Sequence, residues 1–220
     1  MNDFCIIVQG PSTYLDILKP KLTRCGVSVI YSTWESDKNL YTENDLVVIS
    51  DKPHDAGPGN INYQRATTLA GLYKARELGY KRALKLRSDM EPTHPEEFIK
   101  LFDNDNLNFF CWHYSIQNNI PGYMVDYFMS GPIDNLIEMW SEQKNNHHIA
   151  EIILTSVIVD RFKDFEMSFV FDRFNQKNDV LWLKYDVHLS IYETINSGSY
   201  FKGIDLKNNI EVIKAYASLI

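Results

Sequence analysis

The apolar run FCIIV at Phe4–Val8 passes directly into the turn sequence QGPST at Gln9–Thr13, and this junction decides the fold class. Three further apolar runs follow at Val27–Ser32, Leu46–Ser50 and Ala83–Leu86. Each run is short, nearly continuous in apolar character and bounded by turn residues, which is typical of strands that are covered by helices on both faces. The sequence therefore predicts an α/β fold.

Helix-compatible segments alternate with these strands. The segment Gln64–Gly79 has an apolar face and a terminal glycine, which predicts a helix, whereas Pro20 should kink or split the helix after the first strand. The second half is predicted to contain helices at Glu96–Phe102, Ile133–Trp140, Ala150–Phe162 and Glu211–Leu219, and strands at Phe109–Tyr114, Tyr123–Met129, Met167–Phe174 and Val180–Tyr185.

Composition narrows the class of protein and ligand. The 220 residues are 45% hydrophobic and contain no low-complexity linker, so we expect one domain over residues 1–220. With 22 Lys and Arg against 29 Asp and Glu, the formal net charge is −7 and no basic block is present, which disfavours binding to nucleic acid. The three cysteines are widely spaced in apolar surroundings, which indicates reduced thiols and a cytoplasmic protein, and no integral membrane segment is predicted.

The fourth predicted strand ends in a run of charges, KLRSDME at Lys85–Glu91. In an extended chain Lys85, Arg87 and Asp89 share one side, at the edge where open α/β sheets bind ligands. Cations beside a carboxylate suit a diphosphate, with Arg87 on phosphate oxygens and Asp89 on a hard divalent cation. The alternative is an Arg–Asp ion pair that caps the strand.

Other loops supply weaker candidates. Gly10 would allow a ligand to approach the backbone, but an ordinary turn explains it equally well. The turn lacks the dinucleotide-binding and P-loop glycine patterns, which disfavours both of those classes. Asp51 lies in a Gly/Pro-rich loop after the third strand, where a solvated loop is the commoner meaning. Glu151 begins a helix and is either a general base or a carboxylate favoured by the helix dipole.

Five blocks, taken in order and spacing, resemble the WavE family of lipopolysaccharide-synthesis proteins: IVQGP at Ile7–Pro11, IYSTWE at Ile30–Glu35, NxNxQR at Asn60–Arg65, GL at Gly71–Leu72 and LKLRSDM at Leu84–Met90. The resemblance implies a GT-A-like (Rossmann-like) three-layer sandwich with a mixed, mostly parallel central sheet. In that fold, about residues 1–91 would bind a nucleotide sugar and about residues 92–220 would bind the acceptor.

The resemblance also implies roles for individual residues. Glu151 would be the catalytic base, and Asp89 and His188 would hold a divalent cation, Mn²⁺ or Mg²⁺. Arg87 stands where the D-x-D motif of GT-A enzymes has its first acid, so it could itself neutralise the diphosphate and take over part of the cation's task. The donor would be bound by Gln9, Gly10, Pro11, Asp51, Asn62, Arg65, Lys85, Arg87 and Ser88.

The resemblance thus implies a glycosyltransferase that moves a sugar from a nucleotide-sugar donor to a cell-surface glycan, such as lipopolysaccharide or capsule, including lipid-linked glycan acceptors. It would work in the cytoplasm, with peripheral association at the inner membrane face left open. One alternative is a sugar-phosphate nucleotidyltransferase, although the turn at Gln9–Ser12 lacks the basic, glycine-rich loop of that class. A second alternative is a non-catalytic glycan-assembly protein on the same fold.

Overall fold

The computed structural model describes residues 3–111, 124–142, 150–158, 161, 167–172, 180–184, 187–189 and 191–196. Its helices are α1 (Leu15–Thr23), α2 (Ile61–Glu77), α3 (Pro95–Phe102), α4 (Ile133–Ser141) and α5 (Ala150–Val157), with 3₁₀ turns at Glu35–Leu40 and Pro58–Asn60. Its strands are β1 (Phe4–Gln9), β2 (Ser28–Trp34), β3 (Leu46–Ser50), β4 (Arg82–Arg87), β5 (Met90–Pro92), β6 (Leu107–Cys111), β7 (Met124–Pro132), β8 (Met167–Asp172), β9 (Val180–Trp182), β10 (Val187–Leu189) and β11 (Ile191–Asn196).

Eight of the described strands form one mixed sheet in the order β11-β8-β6-β7-β4-β1-β2-β3. The pairings of β1 with β2 and β4, of β2 with β3, and of β6 with β8 are parallel, whereas β7 runs antiparallel to β4 and β6. The chain leaves β1 towards β2 and β3 on one side and later returns to β4 on the other. The carboxyl ends of β1, β2 and β4 therefore meet at one edge, with a topological switch between β1 and β4.

Helices cover both faces of this sheet. One core packs α2, α4 and α5 against a face that includes Cys5 and Ile7, and the other packs α1 and α3 against a face that includes Phe4, Ile6 and Val8. Strand β1 is buried along its whole length because its alternating side chains enter both cores. The predicted Rossmann-like three-layer sandwich with a mixed, mostly parallel central sheet is confirmed.

The structure differs from the sequence-based prediction in local details. Pro20 lies inside α1 without splitting it into two helices. Helix α2 begins at Ile61, three residues before the predicted start, because the 3₁₀ turn Pro58–Asn60 leads into it and Ile61 is buried. At its other end, Gly79 N–H donates to Arg76 and Tyr80 N–H donates to Ala75, the paired bonds of a Schellman motif.

Two features of the second half concern the limits of the prediction. The three-residue strands β5, β9 and β10 form a small antiparallel sheet, of which only β9 lay in a predicted strand. The helix predicted at 211–219 lies outside the described residues. No helix in the described ranges combines the length and the apolar character needed to cross a bilayer.

Candidate active site

A cavity of about 530 Å³ lies at the carboxyl edge of β1, β2 and β4. Its volume is in the range of small-molecule binding sites. The residues that line it come from the end of β1 and the turn after it, the end of β2 and the 3₁₀ turn that follows, the loop after β3, the start of α2, the end of β4 and its turn, and the segment after β9. They are Gln9, Gly10, Pro11, Thr13, Tyr14, Trp34, Ser36, Asp37, Lys52, Asn60, Tyr63, Gln64, Arg87, Ser88, Asp89 and Lys184.

The floor of the cavity is formed where β1 and β4 end side by side. The Ser88 N–H donates to the Gln9 carbonyl oxygen (2.9 Å), and the Gly10 N–H donates to the Ser32 carbonyl oxygen (3.1 Å), so the turns continue the sheet. Gly10 has φ +118°, and a Cβ at this position would lie 2.8 Å from Ser88 Oγ. Glycine is therefore required here both by the backbone conformation and by the close approach of the two turns.

Arg87 connects the cavity to the core through two carboxylates. Its Nε and Nη2 donate to Asp89 Oδ1 and Oδ2 at 2.8 and 2.6 Å, a bidentate pair, and its Nη1 lies 3.3 Å from Asp126 Oδ1. The guanidinium also lies over the Tyr127 ring, 5.3 Å from its centroid. Burial alone would lower the pKa of Arg87, but Asp126 and Asp89 outweigh burial and raise it.

Lys85, two residues before Arg87 on β4, is completely buried. Its Nζ donates to the backbone carbonyl of Asp126, lies 3.7 Å from Asp126 Oδ2 and lies 5.1 Å from the centroid of the Trp140 ring. Burial, partly offset by Asp126, lowers the pKa of Lys85 to about 8. Lys85 therefore contacts Asp126 and Trp140 in the core and does not line the cavity.

Glu151, in the first turn of α5, is part of the same electrostatic cluster. Burial, reinforced by the charge of Asp126, raises the pKa of Glu151 to about 7, against the opposing effect of Arg87 and Lys85. A carboxyl group with this pKa can exchange a proton at neutral pH. Glu151 does not itself line the cavity.

The cavity lining also contains aromatic and amide side chains. The Trp34 and Tyr63 rings pack edge to face with centroids 5.7 Å apart, and Lys52 Nζ lies 4.6 Å from the centroid of the Tyr63 ring. The side-chain oxygens of Gln9 and Gln64 are buried and accept no hydrogen bond from a described residue. A ligand with a planar ring and N–H or O–H donors would match these aromatic and amide side chains.

Asp37 adds a fixed carboxylate to the cavity lining. Its Oδ2 accepts hydrogen bonds from the Ser12 N–H and from Thr33 Oγ1, each at 2.8 Å. Burial would raise the pKa of Asp37, but these bonds and one from Ser36 outweigh it and lower the pKa. The Ser12 hydroxyl also bonds to the Tyr41 hydroxyl (2.6 Å), which fixes the loop after β1.

The predicted donor residues are only partly gathered at the cavity. Gln9, Gly10, Pro11, Arg87 and Ser88 line it, as does the predicted metal ligand Asp89.

The other predicted residues lie elsewhere. Asp51 is exposed beside Lys52. The Asn62 amide nitrogen donates to the Asp55 carbonyl oxygen (3.2 Å), and Arg65 donates to the carbonyl oxygens of Trp140 and Glu142 at 3.1 and 2.7 Å.

His188 stays a prediction, because its side chain lies outside the part of the chain that the structure describes. Its backbone belongs to β10 and pairs with Leu181, which in turn pairs with Glu91 of β5. Strand β9 therefore lies between His188 and the segment that follows Asp89.

The described side chains do not form a ready-made cation site. No group of three His, Cys, Asp or Glu residues in the described ranges is arranged to hold a metal ion. Both oxygens of Asp89 accept hydrogen bonds from Arg87, and Asp37 Oδ2 already accepts two. This donor set does not fit a divalent cation held by the protein's described residues.

Sequence reasoning missed Trp34, Tyr63 and Lys52 as functional candidates. Trp34 and Tyr63 lie within the blocks Ile30–Glu35 and Asn60–Arg65, so the position of these blocks at a strand end and a helix start was a usable signal. Asp126 could be noted from sequence as an acid in an apolar strand, but not its contacts with Lys85 and Arg87, which depend on the pairing of β7 with β4.

Fold and site together define a Rossmann-like α/β protein with a ligand cavity at the switch between β1 and β4. No protein-family model and no curated protein matches the chain, so its resemblance to the WavE family stays a prediction.

Similar solved structures include a protein named as a nucleotide-diphospho-sugar transferase from Desulfovibrio desulfuricans G20, at 10% identity and TM-score 0.47, covering 78% of this chain and 80% of the other. A second is named as a glucose-1-phosphate thymidylyltransferase, from Bacillus anthracis, in complex with sucrose, at 10% identity and TM-score 0.46, covering 76% and 86%. A third, HddC from Yersinia pseudotuberculosis, has 12% identity and TM-score 0.40 and covers 67% and 83%. These likenesses are too distant to indicate a function, which must be argued from the site.

Proposed function

We propose that the protein is a glycosyltransferase that binds a nucleotide sugar in the cavity between β1 and β4 and transfers its sugar to a hydroxyl group of an acceptor glycan. The observation that carries the proposal is the segment Arg87–Asp89, which enters a cavity of about 530 Å³ at the carboxyl edge of the parallel strands. Ligands of open α/β sheets bind at this edge, next to the switch in strand order.

The cavity lining offers groups for two parts of a nucleotide sugar, its diphosphate and its base. Arg87, Ser88 and Lys184 supply cations and a hydroxyl group for a diphosphate, which Arg can bind bidentately. Trp34 and Tyr63 supply an aromatic wall for a base, and the amide oxygens of Gln9 and Gln64 supply acceptors. Because Gly10 has no side chain, the ligand can approach the backbone of the turn after β1.

The reaction needs a base for the acceptor and a stabilised leaving group. Glu151, whose pKa is raised to about 7, would take the proton of the acceptor hydroxyl as that oxygen attacks the anomeric carbon. The bond from the anomeric carbon to the diphosphate breaks, and Arg87 would stabilise the negative charge that develops there. If the configuration at the anomeric carbon is retained, Glu151 need not be a base.

The acceptor is proposed from the resemblance to the WavE family alone. It would be a cell-surface glycan such as lipopolysaccharide or capsule, free or lipid-linked. The reaction would then occur in the cytoplasm or at the inner face of the membrane, where nucleotide sugars are available.

A thermal-shift panel of UDP, GDP, CMP and dTDP, each with and without Mn²⁺, tests the donor site. We expect one nucleotide to raise the Tm, and Arg87→Gln to abolish that rise. Arg76→Gln is the matched control, because Arg76 is exposed on α2 and does not line the cavity. Indifference of the wild-type protein to all four nucleotides would contradict the proposal.

A further inference from the structure

We propose that Arg87 binds the ligand's diphosphate through its Nε–Nη2 edge, and that a phosphate does so by displacing Asp89 from that edge. This inference rests on the proposed function and deepens it. It identifies Arg87 as the group that binds the diphosphate, and Asp89 as a carboxylate of the same chain that competes with the diphosphate for Arg87.

The two edges of the Arg87 guanidinium have different surroundings. Nη1 points to Asp126, whose side chain is 0% exposed, whereas Nε and Nη2 hold Asp89, whose side chain is 15% exposed and lines the cavity. The Tyr127 ring lies against the guanidinium, and Lys85 holds the backbone of Asp126 from below. One edge of Arg87 is thus anchored in the core while the other is presented to the cavity.

The Asp89 carboxylate occupies the presented edge as a phosphate would. Its two oxygens lie 2.8 and 2.6 Å from Nε and Nη2, the fork arrangement that arginine forms with either a carboxylate or a phosphate. The same two N–H groups cannot serve both partners fully at once. A diphosphate that uses this edge must therefore displace Asp89, while the bond to Asp126 keeps Arg87 in place.

This exchange predicts whether one substitution raises or lowers the affinity for a diphosphate. Asp89→Asn removes the competing charge, so it should increase the affinity for a diphosphate in the absence of any divalent cation. A carboxylate that acts only as a cation ligand would give no such gain under these conditions. A carboxylate that acts only by holding the turn in shape would give a loss.

Isothermal titration calorimetry with inorganic pyrophosphate in EDTA measures this change in affinity. Pyrophosphate is the probe because it is a diphosphate without base or sugar. We expect Asp89→Asn to bind pyrophosphate about tenfold more tightly than the wild type, the scale of one hydrogen bond to a charged group. Glu35→Gln is the charge control: it removes one negative charge next to cavity-lining Ser36 from a side chain that is 63% exposed, and it should change the affinity less than about twofold.

A double-mutant cycle identifies Arg87 as the shared partner. In an Arg87→Gln background, Asp89→Asn should give no gain, because the edge for which the two groups compete is absent. An equal gain in both backgrounds would overturn the exchange and indicate a general effect of charge. A loss of affinity in Asp89→Asn would also overturn it.

The same titrations, repeated with UDP, GDP, CDP and dTDP in EDTA, separate this inference from the proposed function. If Asp89→Asn gains affinity for pyrophosphate but no nucleoside diphosphate binds the wild type better than pyrophosphate does, the exchange stands and the nucleotide-sugar function fails. If a nucleoside diphosphate binds the wild type and Asp89→Asn weakens it, the function stands and the exchange fails. If the wild type binds neither pyrophosphate nor a nucleoside diphosphate, both are overturned.

Discussion

In the first turn of α5, the pKa of Glu151 is set by opposing effects of its surroundings. Burial and the neighbouring Asp126 raise its pKa to about 7, while Arg87 and Lys85 act in the opposite direction. The result is a carboxyl group whose pKa lies well above its ordinary value. Groups perturbed in this way by burial and a charged neighbour are typical of functional sites, although ion-pair networks can produce the same effect.

Substitution of Glu151 tests its proposed role as the base. Because the ionised carboxylate would accept the proton, the wild-type transfer rate should rise with pH through about 7. Glu151→Gln should lower the rate by at least about 100-fold and remove this pH dependence. Steady-state kinetics from pH 5 to 9 measure both effects, with the exposed Glu138→Gln as the control. A Glu151→Gln variant that keeps the wild-type profile would exclude Glu151 as the base.

The same group should make stability depend on pH. Its pKa is raised in the folded protein above its ordinary value of 4.5, so the stability linked to its protonation is fully present below about pH 4.5 and is lost as the pH rises through 7. Glu151→Gln lacks this loss. The free energy of unfolding of Glu151→Gln, relative to the wild type, should therefore increase between pH 5 and pH 8 in urea denaturation. An unchanged difference would contradict the raised pKa.

At the scale of elements, the turn after β1 brings Gln9, Gly10 and Pro11 to the cavity. Its conformation depends on Gly10, whose φ is +118° and where an added Cβ would lie 2.8 Å from Ser88 Oγ. The loop beyond it is fixed by Asp37 and Tyr41, which bond to Ser12. A strand end, a glycine turn and a tethered loop thus form the floor of the cavity.

Gly10→Ala should destabilise the fold by about 1–3 kcal/mol, because alanine is strained at this φ and its Cβ would contact Ser88. It should also weaken nucleotide binding per folded molecule. Gly79→Ala is the matched control, because Gly79 also has a positive φ but a Cβ there would meet nothing within 4 Å. Chemical denaturation and titration of both variants separate strain from loss of the site. Equal ligand affinity in the two variants would contradict this account of the floor.

The first four strands could be predicted from the sequence to within about two residues, because each is an apolar run closed by turn residues. The start of α2 could not, because the residues before Ile61 include Gly59 and Asn60 with positive φ, which do not follow a helical pattern. Strands β5 and β10 have three residues each and are stabilised by pairing with β9, which local sequence does not encode.

The charged part of the site could be predicted because Lys85 and Arg87 alternate along the end of β4 and Asp89 follows in the next turn. The contribution of Asp126 could not, because it depends on the antiparallel register that places β7 beside β4. Arg65 shows a second limit: the resemblance to the WavE family implied that it binds the donor, but tertiary packing directs its guanidinium to backbone carbonyls at the end of α4.

At the scale of the whole molecule, one sheet and several polar contacts join the described parts of the proposed donor and acceptor halves, among them the pairs of Lys85 and Arg87 with Asp126. Strand β4 from the first half pairs with β7 from the second. Arg65 of α2 donates to the backbone carbonyls of Trp140 and Glu142 at the end of α4. The helix that borders the cavity is therefore held by residues from beyond position 91.

Arg65→Lys tests this connection. A lysine retains the charge but cannot span both carbonyl oxygens, so the free energy of unfolding should fall by about 2–4 kcal/mol. Arg76→Lys in the same helix is the matched control, because Arg76 is 53% exposed, and it should change stability by less than about 0.5 kcal/mol. Urea denaturation of the two variants gives the comparison. Equal stability of both variants would show that Arg65 does not hold α2 to α4.

The most direct test of the proposed function is to follow the products formed from the nucleotide sugar whose nucleotide stabilises the protein. We predict release of the nucleoside diphosphate, accelerated by an acceptor glycan and lost in Glu151→Gln. Release of pyrophosphate from a sugar phosphate and a nucleoside triphosphate would identify a nucleotidyltransferase instead. That result, or binding of the nucleotide sugar without any turnover, would contradict the proposed glycosyltransferase.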